Sequence, residues 1–226
     1  MYAALVTGTD GAAGGDGLTD LFGLLAYAEL VAFFNLSGDA ELASSLEDKA
    51  ALGEMAVAEF GHFRALHGAL AQMGAVPEQA MQPFVAPLNA FHARTAPADW
   101  LEGLVKAYVG DGIAADFYRA VAEVLEPEAR ALVMEVLADT GHADFVTSRV
   151  RAAIEADPTV AGRLALWARR LVGEALAQAH LVAAERPPLA GLVVGAAGAS
   201  GDQGDIGRMF ADLIDAHDQR MAALGL

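Results

Sequence analysis

Six side chains in this sequence have the types and spacing to do chemistry together. Glu29 lies in the apolar run Leu24-Leu25-Ala26-Tyr27-Ala28-Glu29-Leu30-Val31-Ala32-Phe33-Phe34, with no basic residue from Leu18 to Leu36. A lone carboxylate on such a helix is costly unless it is protonated, paired or bound to a cation. Glu59-Phe60-Gly61-His62 sets a carboxylate and an imidazole at i and i+3, on one helical face, where both can point at one ligand. Asp139-Thr140-Gly141-His142 repeats that arrangement, and Asp111, inside Ala107-Tyr108-Val109-Gly110-Asp111-Gly112-Ile113, repeats the lone acid. Taken singly, each feature has an ordinary reading: a paired buried acid, a hydrogen-bonded Glu–His pair, a solvated face.

Their register argues for more. Glu29 precedes Glu59 by 30 residues and Asp111 precedes Asp139 by 28; Glu29 to Asp111 spans 82 and His62 to His142 spans 80. A lone acid followed by acid-x-Gly-His, twice, reads as two helix pairs related by a pseudo-twofold axis. Four carboxylates and two imidazoles then converge, an inventory suited to two iron (or manganese) ions per chain, whose charge balances four acids. The expected ligands are Glu29, Glu59, His62, Asp111, Asp139 and His142, with Glu135, one turn before Asp139, as the substitute for it. Six protein ligands leave open positions, as oxygen activation requires. Tyr108, Tyr118 and Phe60 are candidates for pocket walls or for side chains just outside the ligand ring, against a packing role for the tyrosines. Gly110 and Gly112 inside one helix cost about 1 kcal/mol each relative to Ala, and Gly61 and Gly141 cost the same. Such losses are expected where a helix bulges or its backbone approaches a neighbour or substrate closely. His67, His92, His180 and His217 have no partner at ligand spacing and read as surface or packing residues. Glu174 reads as the partner of Arg170 or Gln178.

The elements that must position these groups are all helical. Leu18–Leu36 is apolar on almost every face, so it belongs in the middle of a bundle. Ser45 caps a second helix that runs to about Met73. Pro77, Pro83 and Pro87 break Gly74–Ala96 into a long connection. A third helix opens at Pro97 and runs to about Leu125, and a fourth starts at Glu126-Pro127 and ends before Asp157. Asp157-Pro158 caps a fifth that reaches Glu185. Residues 187–205 read as a Gly-rich linker and Ile206–Leu224 as the last helix. The expected architecture is all-α: a four-helix bundle over 18–156 with a crossover connection, plus extra helices at 158–185 and 206–224, within one domain spanning 18–226. Residues 1–17 read as a flexible Gly-rich tail. Their glycines, from Gly8 to Gly17, imitate a dinucleotide-binding loop, but no strand–helix–strand pattern follows.

Glu29, Glu59-x-x-His62, Asp111 and Asp139-x-x-His142 resemble the ferritin-like di-iron carboxylate pattern over roughly Leu18–Val150. Within that superfamily the chain is most similar to the tRNA hydroxylase-like branch, through Ala26–Leu30, Glu59–Phe63 and Trp100–Tyr118. The resemblance implies a ferritin-like bundle and a non-haem di-iron monooxygenase acting on a 2-methylthio-isopentenyl-adenosine of tRNA. The family pattern has Glu where this chain has Asp111 and Asp139, one methylene shorter, which alters how the second half-site holds a metal.

Charge opposes the tRNA substrate. The 226 residues carry 14 Lys+Arg against 30 Asp+Glu, a formal charge of −16, and the only basic pair considered as a patch is Arg169-Arg170. Gripping tRNA takes several Lys/Arg–phosphate contacts. The absence of cysteine excludes disulfides, thiolate metal sites and cysteine nucleophiles. The chain starts without a positive n-region, and its longest apolar stretch, Leu21–Leu36, is short for a membrane span and carries Glu29. The expectation is a cytoplasmic di-iron oxidoreductase, hydroxylase-like, for a small or apolar molecule; no electron donor is indicated. The rivals are a ferroxidase or peroxide-consuming protein with the same ligands, and a non-enzymatic helical dimer with an impaired site. The fifth and last helices are the expected elements of a homodimer.

Overall fold

A computed structural model describes residues 13–43, 45–138, 142–197 and 203–226. Among these there are nine helices and no strand: α1 (Ala13–Leu42), α2 (Leu46–Gln72), α3 (Pro77–Arg94), α4 (Trp100–Ala122), α5 (Pro127–Val136), α6 (His142–Ala156), α7 (Thr159–Glu185), α8 (Pro187–Ala197) and α9 (Gln203–Leu224). The Ser45 cap read from the sequence forms, while the helix expected to open at Pro97 is capped instead by Asp99. The Ser45 hydroxyl accepts from the Asp48 amide at 3.0 Å, and Asp99 accepts from the Glu102 amide at 2.9 Å, which starts α4 at Trp100, three residues after Pro97. Each satisfies an amide that the first turn leaves unpaired.

Two apolar cores fill the two ends of the bundle. One joins Leu21, Phe22 and Leu25 of α1 to Leu66 and Leu70 of α2, Phe84 of α3, Val121 of α4 and Val133 of α5. The other joins Leu36 of α1 to Leu52 of α2, Val105 of α4, Val150 of α6, and Leu164 and Leu171 of α7. Between the cores the middle of α1, Tyr27 to Phe33, is only partly buried; Ala28, Glu29 and Ala32 line cavities there, while Tyr27 and Phe33 pack against the two cores. By length and composition α1 could cross a membrane, yet half of its most apolar stretch is buried inside the fold.

Four expectations are corrected. The proline-containing stretch Gly74–Ala96 is not an irregular connection: Pro77–Arg94 forms α3, the crossover of the bundle. Pro77 sits in the first turn, where no amide partner is needed. Pro83 and Pro87 lie inside the helix, and the burial of Met81 and Phe84 on its inner face offsets the bonds they remove. The fourth helix is two, α5 and α6, with the chain leaving helical geometry after Val136. Asp139-Thr140-Gly141 is a run of cap-type residues and glycine that favours such a break. The expected linker is helical over Pro187–Ala197, because Leu189 and Leu192 pack into the first core. Of the expected tail, Ala13 to Gly17 belong to α1, and residues 1–12 lie outside the described residues. Gly17 is required there, since a Cβ would lie 2.8 Å from the Pro188 carbonyl oxygen of α8.

Candidate metal centre

α1, α2, α4 and α6 each deliver a candidate ligand to the level between the two cores. Glu29, Glu59 and His62 form one trio and Glu59, Asp111 and His142 a second; within each, one ligand atom per residue lies within 4.8 Å of the others. His62 Nδ1 is 3.4 Å from Glu29 Oε2 and 3.4 Å from Glu59 Oε2. On the other side, His142 Nδ1 is 3.7 Å from Glu59 Oε1. The two oxygens of Glu59 thus face opposite trios, the position of a carboxylate shared between two ions. Asp139 lies outside the described residues. Glu135, considered as its substitute, is exposed on α5 and joins neither trio.

The electrostatics show a cluster short of positive charge. Burial pushes the Glu29 carboxyl well above its ordinary range, with the facing His62 opposing the rise and Glu59 adding to it. Burial also pushes Glu59 up, but His62 and a proton shared from Glu29 outweigh it and leave Glu59 below the ordinary value. The two carboxylates raise His62 to about 10 against its partial burial. Burial, then the Glu59 charge, raises Asp111 well above the carboxylate range. Asp111 is surrounded by protein and at the same time open to cavity space, because it borders both internal cavities. In cation-free form the cluster therefore holds protons at Glu29, Asp111 and His62.

Those observations test whether a metal pair fits. Glu29 Oε2 is buried and has no well-formed hydrogen bond; a single Nδ1–H of His62 cannot satisfy two oxygens that are equally distant from it. Three donor atoms within 4.8 Å of one another, in a mixed imidazole–carboxylate set, match what Fe(II) or Mn(II) takes. The residues present fit a divalent pair.

Two cavities meet here. One, of about 350 Å³, contains Glu29, Glu59, His62, Asp111 and His142. The other, of about 320 Å³, runs between α1, α4 and α7 and is walled mainly by apolar side chains such as Leu24, Phe91, Phe117 and Val182. Ala28, Ala32, Ala107, Ala114 and Tyr118 line both, so the two cavities are neighbours. Tyr118 is buried, and its hydroxyl is pushed up by burial and by Glu29. Tyr108 lines the first cavity. Phe60, expected at a pocket wall, lines neither; it is 39% exposed and stacks with Phe33 and Phe63 at 5.1 and 5.6 Å on the outer face. The i+1 position after a ligand turns away from the ligand's face.

Sequence reasoning missed the polar groups of the apolar cavity. His92 shares a 3.2 Å contact with Asn35 and is driven down to about 4 by burial and by Lys106. Lys106 donates to the Thr95 carbonyl at 2.8 Å, and burial lowers it to about 8 against the opposing charge of Asp39. No spacing rule marks such residues, because they come from α1, α3 and α4 with no common period. Glu174 pairs with Arg94 at 2.8 Å rather than with Arg170 or Gln178. Of the other histidines, His67 is bonded to the exposed Glu78 and His217 is buried on α9.

The sequence profile of a family described as "Ferritin-like domain, actinomycetes" matches residues 15–196. No curated protein matches the sequence. Among solved structures the fold is similar to "Protein 19 with aldehyde deformylating oxidase activity from Synechococcus", with 18% identity, a TM-score of 0.72, and coverage of 95% of this chain and 92% of that one.

Proposed function

Because the chain belongs to the ferritin-like domain family of actinomycetes, we propose that it is a non-haem di-iron (or di-manganese) oxidoreductase. Glu29, Glu59, His62, Asp111 and His142 would hold the two ions, together with Asp139 from the adjoining segment. The carrying observation is the placement of Glu59, whose two oxygens face two separate trios. When bound, such an ion pair supplies the redox chemistry that activates dioxygen or peroxide.

The protein's own part follows from the site. Glu29, Asp111 and His62 release protons as cations arrive, so no uncompensated charge is left inside. The apolar cavity holds an apolar substrate beside Asp111 and excludes bulk water from it. Tyr118, bordering both cavities, is a hydrogen-bond donor between substrate and cluster. Hydroxylation of an apolar molecule is the leading reaction, and apolar aldehydes enter the panel because the similar structure from Synechococcus is named for activity on an aldehyde. A ferroxidase has no need of a 320 Å³ apolar cavity, which weighs against that reading. The charge of −16 weighs against tRNA. We place the protein in the cytoplasm. Exposed Leu166 and Leu181 on α7 and Ile214 on α9 support pairing of these helices in a homodimer, which light scattering would detect.

Metal analysis of protein from iron-supplemented cells tests the central claim. About two transition-metal ions per chain are expected in the wild type, fewer than half that number in Glu59→Ala, and about one in His62→Ala or His142→Ala. Wild-type content well below one ion, or undiminished content in Glu59→Ala, would overturn it.

A further inference from the structure

One cation faces the acid cluster from outside the four ligand-bearing helices. Arg220, on α9, lines the same cavity as Asp111, Gly112 and His142. Its Nη1 donates to Asp116 Oδ2 at 2.5 Å. Its Nε and Nη2 are shielded from solvent and meet no hydrogen-bond acceptor. Those two nitrogens make up one edge of the guanidinium, the fork that grips both oxygens of a carboxylate at once. Buried donors without acceptors are rare in folded proteins and destabilise them, so a fold that keeps a pair of them needs a reason.

Gly112 is built around this side chain. A Cβ at Gly112 would lie 2.6 Å from Arg220 Cδ, 2.6 Å from Nε and 3.0 Å from Cζ. Those distances bring the Cδ–Nε–Cζ part of the side chain close against α4 at Gly112. The helical penalty of Gly112, for which the sequence predicts a bulge or a close approach, is thus the cost of letting Arg220 lie against α4. The surrounding charges keep this wall positive. Arg119 donates to the other oxygen of Asp116 at 3.1 Å and to the Leu137 carbonyl at 3.0 Å, so two guanidiniums share one carboxylate.

We propose that the Nε/Nη2 edge of Arg220 binds the carboxylate of an apolar monocarboxylic acid, whose body occupies the adjoining apolar cavity. The proposal rests on the metal-site reading only for the role of the cavity, and names the substrate or product class for it. A monoanion is favoured over phosphate because the ionised Glu59 stands in the same cavity and repels a second negative charge. The two cavities are adjacent, with Ala28, Ala32, Ala107 and Ala114 lining both.

Isothermal titration calorimetry on the full chain tests this with octanoate, its neutral counterpart octanol, and inorganic phosphate, with metal content measured on every sample. Octanoate should bind about tenfold or more tightly than octanol, the size of one charge-assisted bidentate contact. Arg220→Gln should weaken octanoate to the level of octanol and leave octanol unchanged, and Arg220→Lys should keep part of the preference. A wild type that does not distinguish the two ligands would overturn the proposal, as would a preference that survives Arg220→Gln. Phosphate displacing octanoate at equal concentration would also overturn it. If Arg220→Gln does not fold, Asp116→Asn takes its place: it keeps the Nε/Nη2 edge, so retained preference supports the proposal and lost preference overturns it. Metal-poor protein with an Arg220-dependent preference would sink the di-iron reading alone. Metal-loaded protein without that preference would sink this one alone.

Discussion

Glu29 is the residue whose chemistry changes most with a cation. Folding raises its proton affinity, so its contribution to stability in the metal-free chain is complete below the ordinary glutamate value and is lost as pH rises through the elevated folded value. Glu29→Gln copies the protonated form. Metal-free Glu29→Gln is therefore expected to melt at or above the wild-type temperature, with the gap widening at higher pH, while binding one ion fewer. A variant that melts well below metal-free wild type would contradict the protonated assignment. His92 has the opposite sign. Its folded value of about 4 lies below the unfolded value, so stability is complete above about pH 6.5 and is lost as pH falls from there toward 4. Thermal melts across that window should show a shallower acid loss for His92→Gln than for wild type; parallel curves would show that His92 is not buried neutral.

At the scale of elements, glycines set how closely helices approach. A Cβ at Gly23 would lie 2.3 Å from the Ala80 carbonyl oxygen and 2.7 Å from its carbon, so α1 and α3 touch backbone to backbone. Gly23→Ala must push α3 away and should cost about 1–3 kcal/mol, read as a lowered midpoint in urea. Gly68→Ala on α2 meets nothing within 4 Å and should be neutral or stabilising by about 0.5–1 kcal/mol. Equal effects at the two positions would refute the close approach. The same scale explains where helix prediction failed. Pro83 and Pro87 carry a local breaking signal, but the buried face of Met81 and Phe84 overrides it. Gly191 and Gly195 carry another, but Leu189 and Leu192 are needed by a core to which α1 and α2 also contribute.

For the whole molecule, charge and cavity pull the substrate question the same way. Under the ligand assignment, four of the 30 acids serve a cation site, and the rest still exceed the 14 basic residues. Arg149 is tied to Asp48 at 2.7 Å, Arg94 to Glu174 at 2.8 Å and Arg163 to Asp99 at 2.8 Å, which leaves fewer cations to meet phosphates. A gel-shift titration at about 0.15 M salt is expected to show no retardation of tRNA at micromolar protein; saturable sub-micromolar binding would restore the nucleic-acid substrate that the hydroxylase-like motifs imply.

The bundle and most of the centre were legible without coordinates, for one physical reason. Ligands on helices recur at i and i+3, and lone acids in apolar helices stand out because burying charge is expensive. That reasoning named Glu29, Glu59, His62, Asp111 and His142, which converge. Periodicity carries no information about which helices will face one another, however. Only the tertiary structure decided that Glu59 faces both trios, that Phe60 turns outward, and that α1 and α4 stand apart around an apolar cavity. It also decided that an arginine near the end of the chain lies against Gly112 in the cavity of the cluster. The sequence showed the local cost of that glycine; its cause lay more than a hundred residues away and became visible only when α9 packed against α4.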